Sequence, residues 1–233
     1  MPMRARLDAA LLTRPPRLLH KLLPGCEWRG PAATATGTPL VYLTFDDGPL
    51  PDETPWVLEQ LALYGAKATF FCVGENLVRY PEIARAALAA GHRLGNHTQH
   101  HRSGWTTARP AYLADVAACE RTLTGLLPPS LLASPAAAET PAQPLFRPPY
   151  GRLTRPQLRS LQTDFRVVMW SVLTRDYDPD LRPEDCLRFA LEAVRAGDVV
   201  VFHDSQKAGP RLRYALPRLL AHLAAQGFQF AAL

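Results

Sequence analysis

Short, wholly apolar runs such as Leu40-Val41-Tyr42-Leu43 and Val199-Val200-Val201-Phe202 alternate along this 233-residue chain with stretches of helical period. A strand with one wet face alternates apolar and polar residues; a run that is apolar at every position needs cover on both faces. Alternation of such runs with helices specifies a parallel sheet sheathed by helices. The pattern predicts strands over 40–45, 68–73, 93–96, 145–146, 166–171, 199–202 and 228–230. Between them, Thr54 caps a helix opened by Pro55 and ended by Gly65, and Pro81 opens one that closes at Gly91. Further helices are predicted over 111–127, 155–161, 183–196 and 212–226. About six or seven such units suit a closed or nearly closed barrel, with an open doubly wound sheet as the alternative.

Two stretches fall outside the alternation. Residues 1–38 are rich in Pro, Arg and Ala and form an N-terminal extension before the domain at 39–233. Residues 128–144, PPSLLASPAAAETPAQP, form a low-complexity loop insertion within it. With 47% hydrophobic residues the chain has ample material for a core. Lys and Arg exceed Asp and Glu by 26 to 21, giving +5, but no basic stripe with interleaved aromatics marks a nucleic-acid surface. Cys26, Cys72, Cys119 and Cys186 lie far apart with no CxxC pair, so neither a disulfide framework nor a cysteine metal site is implied. No apolar stretch approaches membrane-spanning length. Asp8 interrupts the only leader-like run, which makes a cytoplasmic location the expectation, with a peripheral or exported form as the alternative. Oligomeric state is not specified.

Chemistry-bearing side chains fall at one kind of place. Asp46 and Asp47 end the first apolar run, and His97, His100 and His101 follow the third. Arg147 follows Leu145-Phe146, Asp176 lies in the loop after Trp170, and His203 and Asp204 end Val199–Phe202. In a parallel α/β fold the carboxyl ends of the strands converge on one face, where sites are built. Adjacent carboxylates need a positive partner, although Asp46-Asp47-Gly48-Pro49 also reads as an ordinary capped turn. His97 and His101, four apart on one helical turn, share a face; His97 with His100 is the rival pairing. Two imidazoles and one carboxylate make a three-ligand set with open positions for water. Zinc fits that set best, and iron, cobalt or nickel would also be accepted.

Five segments, in order, carry a family resemblance. They are Thr44-Phe45-Asp46-Asp47-Gly48-Pro49, His97-Thr98-Gln99-His100-His101, Arg147-Pro148-Pro149-Tyr150-Gly151, the loop from Trp170 to Asp176, and Val200-Val201-Phe202-His203-Asp204. With these the chain resembles the polysaccharide deacetylase family, the NodB-homology domain of carbohydrate esterase family 4, over roughly residues 40–231. The resemblance implies an α/β fold, a distorted (β/α) barrel of about seven parallel strands. It also implies metal binding by Asp47, His97 and His101. By the same resemblance Asp46 would be the general base and Arg147 would orient it. The Tyr150 N–H would help hold the oxyanion, His203 would be the general acid with Asp176 tuning it, and Thr98 would brace the histidine loop. Asp176-Tyr177 stands where many members have Asp-Trp.

Acetamide hydrolysis needs a water made nucleophilic by a divalent ion, a base, oxyanion stabilisation and an acid for the leaving amine. The residues above supply all four. The expected activity is removal of acetyl groups from N-acetylated poly- or oligosaccharides. The alternatives are an O-acetyl esterase and a non-catalytic carbohydrate-binding relative, and the latter predicts a missing ligand, base or acid. Tyr150, Trp105, Trp170 and Tyr177 are the candidate sugar contacts, since aromatic faces stack on sugar rings.

Overall fold

A computed structural model of the chain describes residues 13–127 and 143–233. All of the insertion at 128–144 except Gln143 and Pro144 lies outside these residues. So do the first twelve residues, which hold the leader-like run. After one helical turn, α1 (Arg17–His20), strands β1 (Leu40–Asp46), β2 (Thr69–Cys72), β3 (Arg93–Asn96), β4 (Leu145–Phe146), β5 (Arg166–Val167), β6 (Val172–Leu173), β7 (Val199–His203) and β8 (Gln229–Phe230) are laid down. Helices α2 (Glu53–Ala62), α3 (Gly74–Arg79), α4 (Pro81–Ala89), α5 (Arg109–Leu126), α6 (Arg155–Leu161), α7 (Pro183–Ala193) and α8 (Gly209–Ala225) intervene.

The strand order is β5-β4-β3-β2-β1-β7-β6, all parallel, with β8 paired to the first two residues of β1. These seven parallel strands curl into an open, distorted barrel. Side chains alternate across each strand, so β1 serves two interiors. Val41, Leu43 and Phe45 face the helix layer and pack with Leu212, Leu216, Leu219 and Leu220 of α8. Tyr42 joins Phe71, Leu145, Val168 and Val199 in a separate cluster. Fully burying each such Leu, Val or Phe contributes roughly 1.5–3 kcal/mol, so the helix-layer cluster is the main source of cohesion.

Three local expectations are corrected. The apolar run 166–171 is not one strand: only 166–167 is strand, and the next strand, 172–173, begins just beyond the run. Residues 166–167 pair with β4, whereas Val172 and Leu173 pair with β7 at the other end of the sheet path. The chain thus crosses the open side of the barrel. Glu27 bridges Val168 there, its N–H bonding to the Val167 carbonyl at 2.8 Å. Thr54 does not cap α2, which begins at Glu53; its hydroxyl is turned to Asp204 instead. His97 to His101 is not a helical turn, because Thr98 (φ 65°) and His101 (φ 52°) take left-handed backbone angles that break helical continuity. Among the described residues no helix is long and apolar enough to cross a membrane.

The N-terminal stretch is tied into the barrel. Glu27 also forms a two-pronged ion pair with Arg166 at 2.8 and 2.7 Å. Arg29 bridges Asp198, and Ala33 pairs with Pro39. Asp198 is fully buried and is met by Arg14, Arg29 and the Ser171 hydroxyl.

Candidate active site

Strand register brings the site together. Asp46 lies opposite both His203 of β7 and Phe71 of β2, Cys72 lies opposite Asn96 of β3, and Asn96 lies opposite Phe146 of β4. The residues ending or following these strands, Asp46, Asp47, His97, Arg147 and His203, therefore emerge at one level.

Arg147 is wholly buried, and each nitrogen of its guanidinium has a hydrogen-bond partner. It donates to the Val168 and Met169 carbonyls at 3.3 and 2.9 Å, to the Thr44 hydroxyl at 2.7 Å and to Asp46 Oδ1 at 2.7 Å. Burial lowers its pKa and the Asp46 charge works against that; a guanidinium stays protonated in either case. Asp46, 4% exposed, is thus held in a fixed orientation at the cleft wall.

Asp47 follows with φ 85°, a left-handed conformation that swings its carboxylate away from that of Asp46. Its carbonyl accepts from Asn76 Nδ2 at 2.8 Å. The next peptide, Gly48 N–H, donates to Asp204 Oδ1 at 3.0 Å, and Asp204 Oδ2 takes the Thr54 hydroxyl at 2.5 Å. A Cβ at Gly48 would stand 2.0 Å from Asp204, so this turn admits only glycine. Burial drives the Asp204 carboxyl up to about 8 despite these hydrogen bonds.

Asp47 Oδ1 lies 3.2 Å from His101 Nε2 and 3.8 Å from His97 Nε2, and the three ligand atoms are mutually within 4.8 Å. His97 Nδ1 meets the Arg147 carbonyl at 2.8 Å. A carbonyl only accepts, so Nδ1 carries the proton and Nε2 presents its lone pair. Burial pushes His97 down to about 4, which keeps it neutral. Burial opposes ionisation of Asp47, yet the hydrogen bond from His101 and the nearby imidazoles hold it well below the usual carboxylate range. Ligands of one zinc ion sit about 2.0–2.2 Å from it, hence about 3–4 Å from each other. One carboxylate oxygen and two imidazole nitrogens at these separations fit a single divalent ion. His100 is turned elsewhere, its Nδ1 2.5 Å from Asp115 Oδ1 and its Nε2 3.8 Å from Glu75. The histidine loop is braced by Asn96 Oδ1, which accepts from Thr98 N–H at 2.9 Å, and by Thr98 Oγ1, which accepts from Arg102 N–H at 3.1 Å.

Across the cleft, the fully buried Asp176 grips His203 with both oxygens, Oδ2 on the backbone N–H at 2.7 Å and Oδ1 on Nδ1 at 2.8 Å. Burial alone would discharge His203, but the charge and hydrogen bond of Asp176 raise it to about 9. Nε2 is the ring nitrogen left for other partners.

These groups line a cleft of about 550 Å³ whose remaining walls include Tyr150, Trp170, Leu173 and Tyr177. Tyr150 has φ 60° and lies 4.7 Å from the His101 ring, while Tyr177 meets the His203 ring edge-on at 5.0 Å. Trp105 stands outside that lining, two-thirds exposed, with the Arg152 guanidinium 5.0 Å above its ring. Arg152 and Lys207 also line the cleft, and sequence reasoning missed both, because an isolated cation on a turn has no spacing signature. A second cleft, about 650 Å³, lies between α5 and α6 and holds none of the strand-end groups.

The fold and cleft together define a parallel α/β barrel whose strand-end cleft holds a carboxylate, an imidazole and a group of three side chains that could hold a metal ion. Residues 33–164 match the family model for polysaccharide deacetylases. The chain is 35% identical over 178 residues to a chitooligosaccharide deacetylase of Bradyrhizobium sp. (strain ANU 289), spanning 75% of this chain and 74% of that protein. It is 29% identical over 195 residues to a peptidoglycan-N-acetylglucosamine deacetylase of Bacillus cereus, spanning 82% and 84%. A crystal structure of a peptidoglycan N-acetylglucosamine deacetylase in complex with 4-naphthalen-1-yl-N-oxidanyl-benzamide superposes with a TM-score of 0.75 at 29% identity, over 93% of this chain and 94% of that one. The chain belongs to the polysaccharide deacetylase family and is a hydrolase of that type.

Proposed function

We propose that the protein is a metal-dependent N-deacetylase of acetylated sugars. The observation that carries this reading is the approach of Asp47, His97 and His101 ligand atoms to within 4.8 Å of one another, in one cleft with Asp46 and His203. Asp47, His97 and His101 would hold one divalent ion, zinc by the donor set, with cobalt, nickel or iron as the other candidates. Bound there, the ion supplies Lewis acidity, which makes a water more acidic and a carbonyl more electrophilic. The related structure noted above holds an N-hydroxy amide, a chelating group, in keeping with this.

Asp46 takes a proton from the attacking water, and Arg147 fixes its oxygen toward that role. The Tyr150 N–H stabilises the negative charge on the former carbonyl oxygen. As the C–N bond breaks, protonated His203 gives its Nε2 proton to the departing amine, leaving acetate and a free amino sugar. Asp176 keeps His203 cationic beforehand and prevents rotation of the ring. Trp170 and Tyr177 offer faces to the sugar, with Trp105 at the outer margin.

The substrate class is supported by the relatives, which are named for chitooligosaccharides and for N-acetylglucosamine of peptidoglycan. The test is acetate release from N-acetylated chitooligosaccharide, peptidoglycan and O-acetylated polysaccharide, with and without chelator and added metals. N-acetylated substrates should release acetate in a chelator-sensitive, metal-restored way. Activity that survives both chelation and His101→Ala refutes the metal mechanism, and release from the O-acetylated substrate alone replaces the amidase with an esterase.

A further inference from the structure

Two cations in the cleft have no carboxylate partner among the described residues. Arg152 and Lys207 are exposed side chains that line it, and each rests on an aromatic ring. The Arg152 guanidinium lies 5.7 Å from the Tyr150 ring, which itself lies 4.7 Å from the His101 ring. On the other flank, Lys207 Nζ lies 6.0 Å from the Tyr177 ring, which lies 5.0 Å from the His203 ring. The arrangement is two-sided: cation, aromatic ring and site histidine occur in the same order on both walls.

Other basic groups around the mouth are already engaged. Arg102 pairs with Asp115, Arg175 with Asp178, and Arg211 with the backbone carbonyls of Asp176 and Lys207. The carboxylates of the cleft are equally spoken for, Asp46 by Arg147 and Asp47 by the histidines. The charge left unanswered in the cleft is therefore positive and sits one aromatic ring out from the reacting centre. A neutral glycan can offer it hydrogen-bond acceptors but no opposite charge. A sugar bearing a carboxylate, next to the acetylated one, does.

We propose that Arg152 and Lys207 make this cleft select an anionic acetylated glycan, with a carboxylate on a sugar adjoining the one that is deacetylated. This rests on the deacetylase reading and narrows its substrate class. The two cations act through binding and touch no reacting atom.

The probe is an oligosaccharide of alternating N-acetylglucosamine and N-acetylmuramic acid, compared with its own methyl ester, which differs in charge and hardly in shape. Binding is measured calorimetrically on chelator-treated protein, so that turnover does not consume the ligand. The free acid should bind about tenfold more tightly than the ester at low salt, the sum of two exposed charge contacts. That advantage should shrink in about 1 M salt, where the screening length falls to about 3 Å. In Arg152→Gln/Lys207→Gln the acid and ester should bind alike, with the melting temperature unchanged because both side chains are exposed. Equal binding of acid and ester by the unaltered protein overturns the proposal, as does a double variant that keeps the full difference. Acetate release from the same two compounds reports separately on the deacetylase reading, so either can fail without the other.

Discussion

His203 shows how one contact sets a function. The buried Asp176 grips both its backbone N–H and its ring Nδ1, and the imidazole's pKa is raised to about 9 from the ordinary histidine value of about 6.5. A general acid works only while protonated, so kcat/KM should fall as pH rises through its pKa. A bound cation nearby can only lower that value, which places the alkaline limb at or below about 9. Asp176→Asn should move the limb to lower pH and cut the rate at pH 8 by about a hundredfold, read from a pH–rate profile. The same shift acts on folding. A group whose folded pKa is raised contributes stability that is full below its unfolded pKa, about 6.5, and is lost as pH climbs through about 9. Denaturant melts of metal-free protein across pH 6 to 10 should show that loss, and Asp176→Asn should shrink it, leaving the part up to about pH 8 that comes from the raised Asp204 carboxyl. The pairing of Asp176 with His203 came from the resemblance alone. They stand 27 residues apart, and nothing in their spacing says that they meet.

Strand β1 illustrates what local sequence can and cannot encode. It was legible as a wholly apolar run covered on both faces, and the structure divides those faces: Val41, Leu43 and Phe45 go to the helix layer, Thr44 and Asp46 to the polar interior. Phe45 lies between Phe70 and Phe202, with ring centroids 5.0 and 6.0 Å away, and is fully buried. Phe45→Ala should cost about 3–5 kcal/mol of unfolding free energy by chemical denaturation, enough to unfold much of a marginal domain. Strand 93–96, strand 145–146 and helix 155–161 were equally plain, and in the structure the last opens on a reciprocal Thr154–Gln157 capping box. The run 166–171 and the two residues after it were not, since branched apolar residues carry no punctuation. Its division depends on distant partners, Phe146 and Glu27 for the first part and Val200 and Val201 for the second. Helix α3 was missed for a related reason: six residues opening on Gly74 are too few to show a period. Thr54 had every local mark of a cap, and a buried carboxylate 150 residues away claimed its hydroxyl.

The cleft belongs to the molecule and not to any segment. Asp47 and His101 meet only when β1, β2 and β3 are in register, so an ion held between them binds the native state and not the unfolded chain. Zinc should raise the melting temperature, with a stabilisation of about 2.7 kcal/mol at a hundredfold excess over Kd, and chelator should reverse it. His101→Ala should leave the metal-free melting temperature close to that of the unaltered protein and remove the zinc response. Arg147 has a different kind of reach. Its guanidinium joins β1 to the chain leaving β5, so a fully buried cation is tied to the carboxylate at the cleft wall. Evolution and engineering meet the same obstacle there. Arg147→Met strands the Asp46 carboxylate and should cost about 3–5 kcal/mol, while adding Asp46→Asn should recover a large part of it, a coupling readable from a double-mutant cycle. Libraries that vary position 46 or 147 singly will therefore lose folded clones at every step, and a lineage reaches a neutral interior only by changing both residues together.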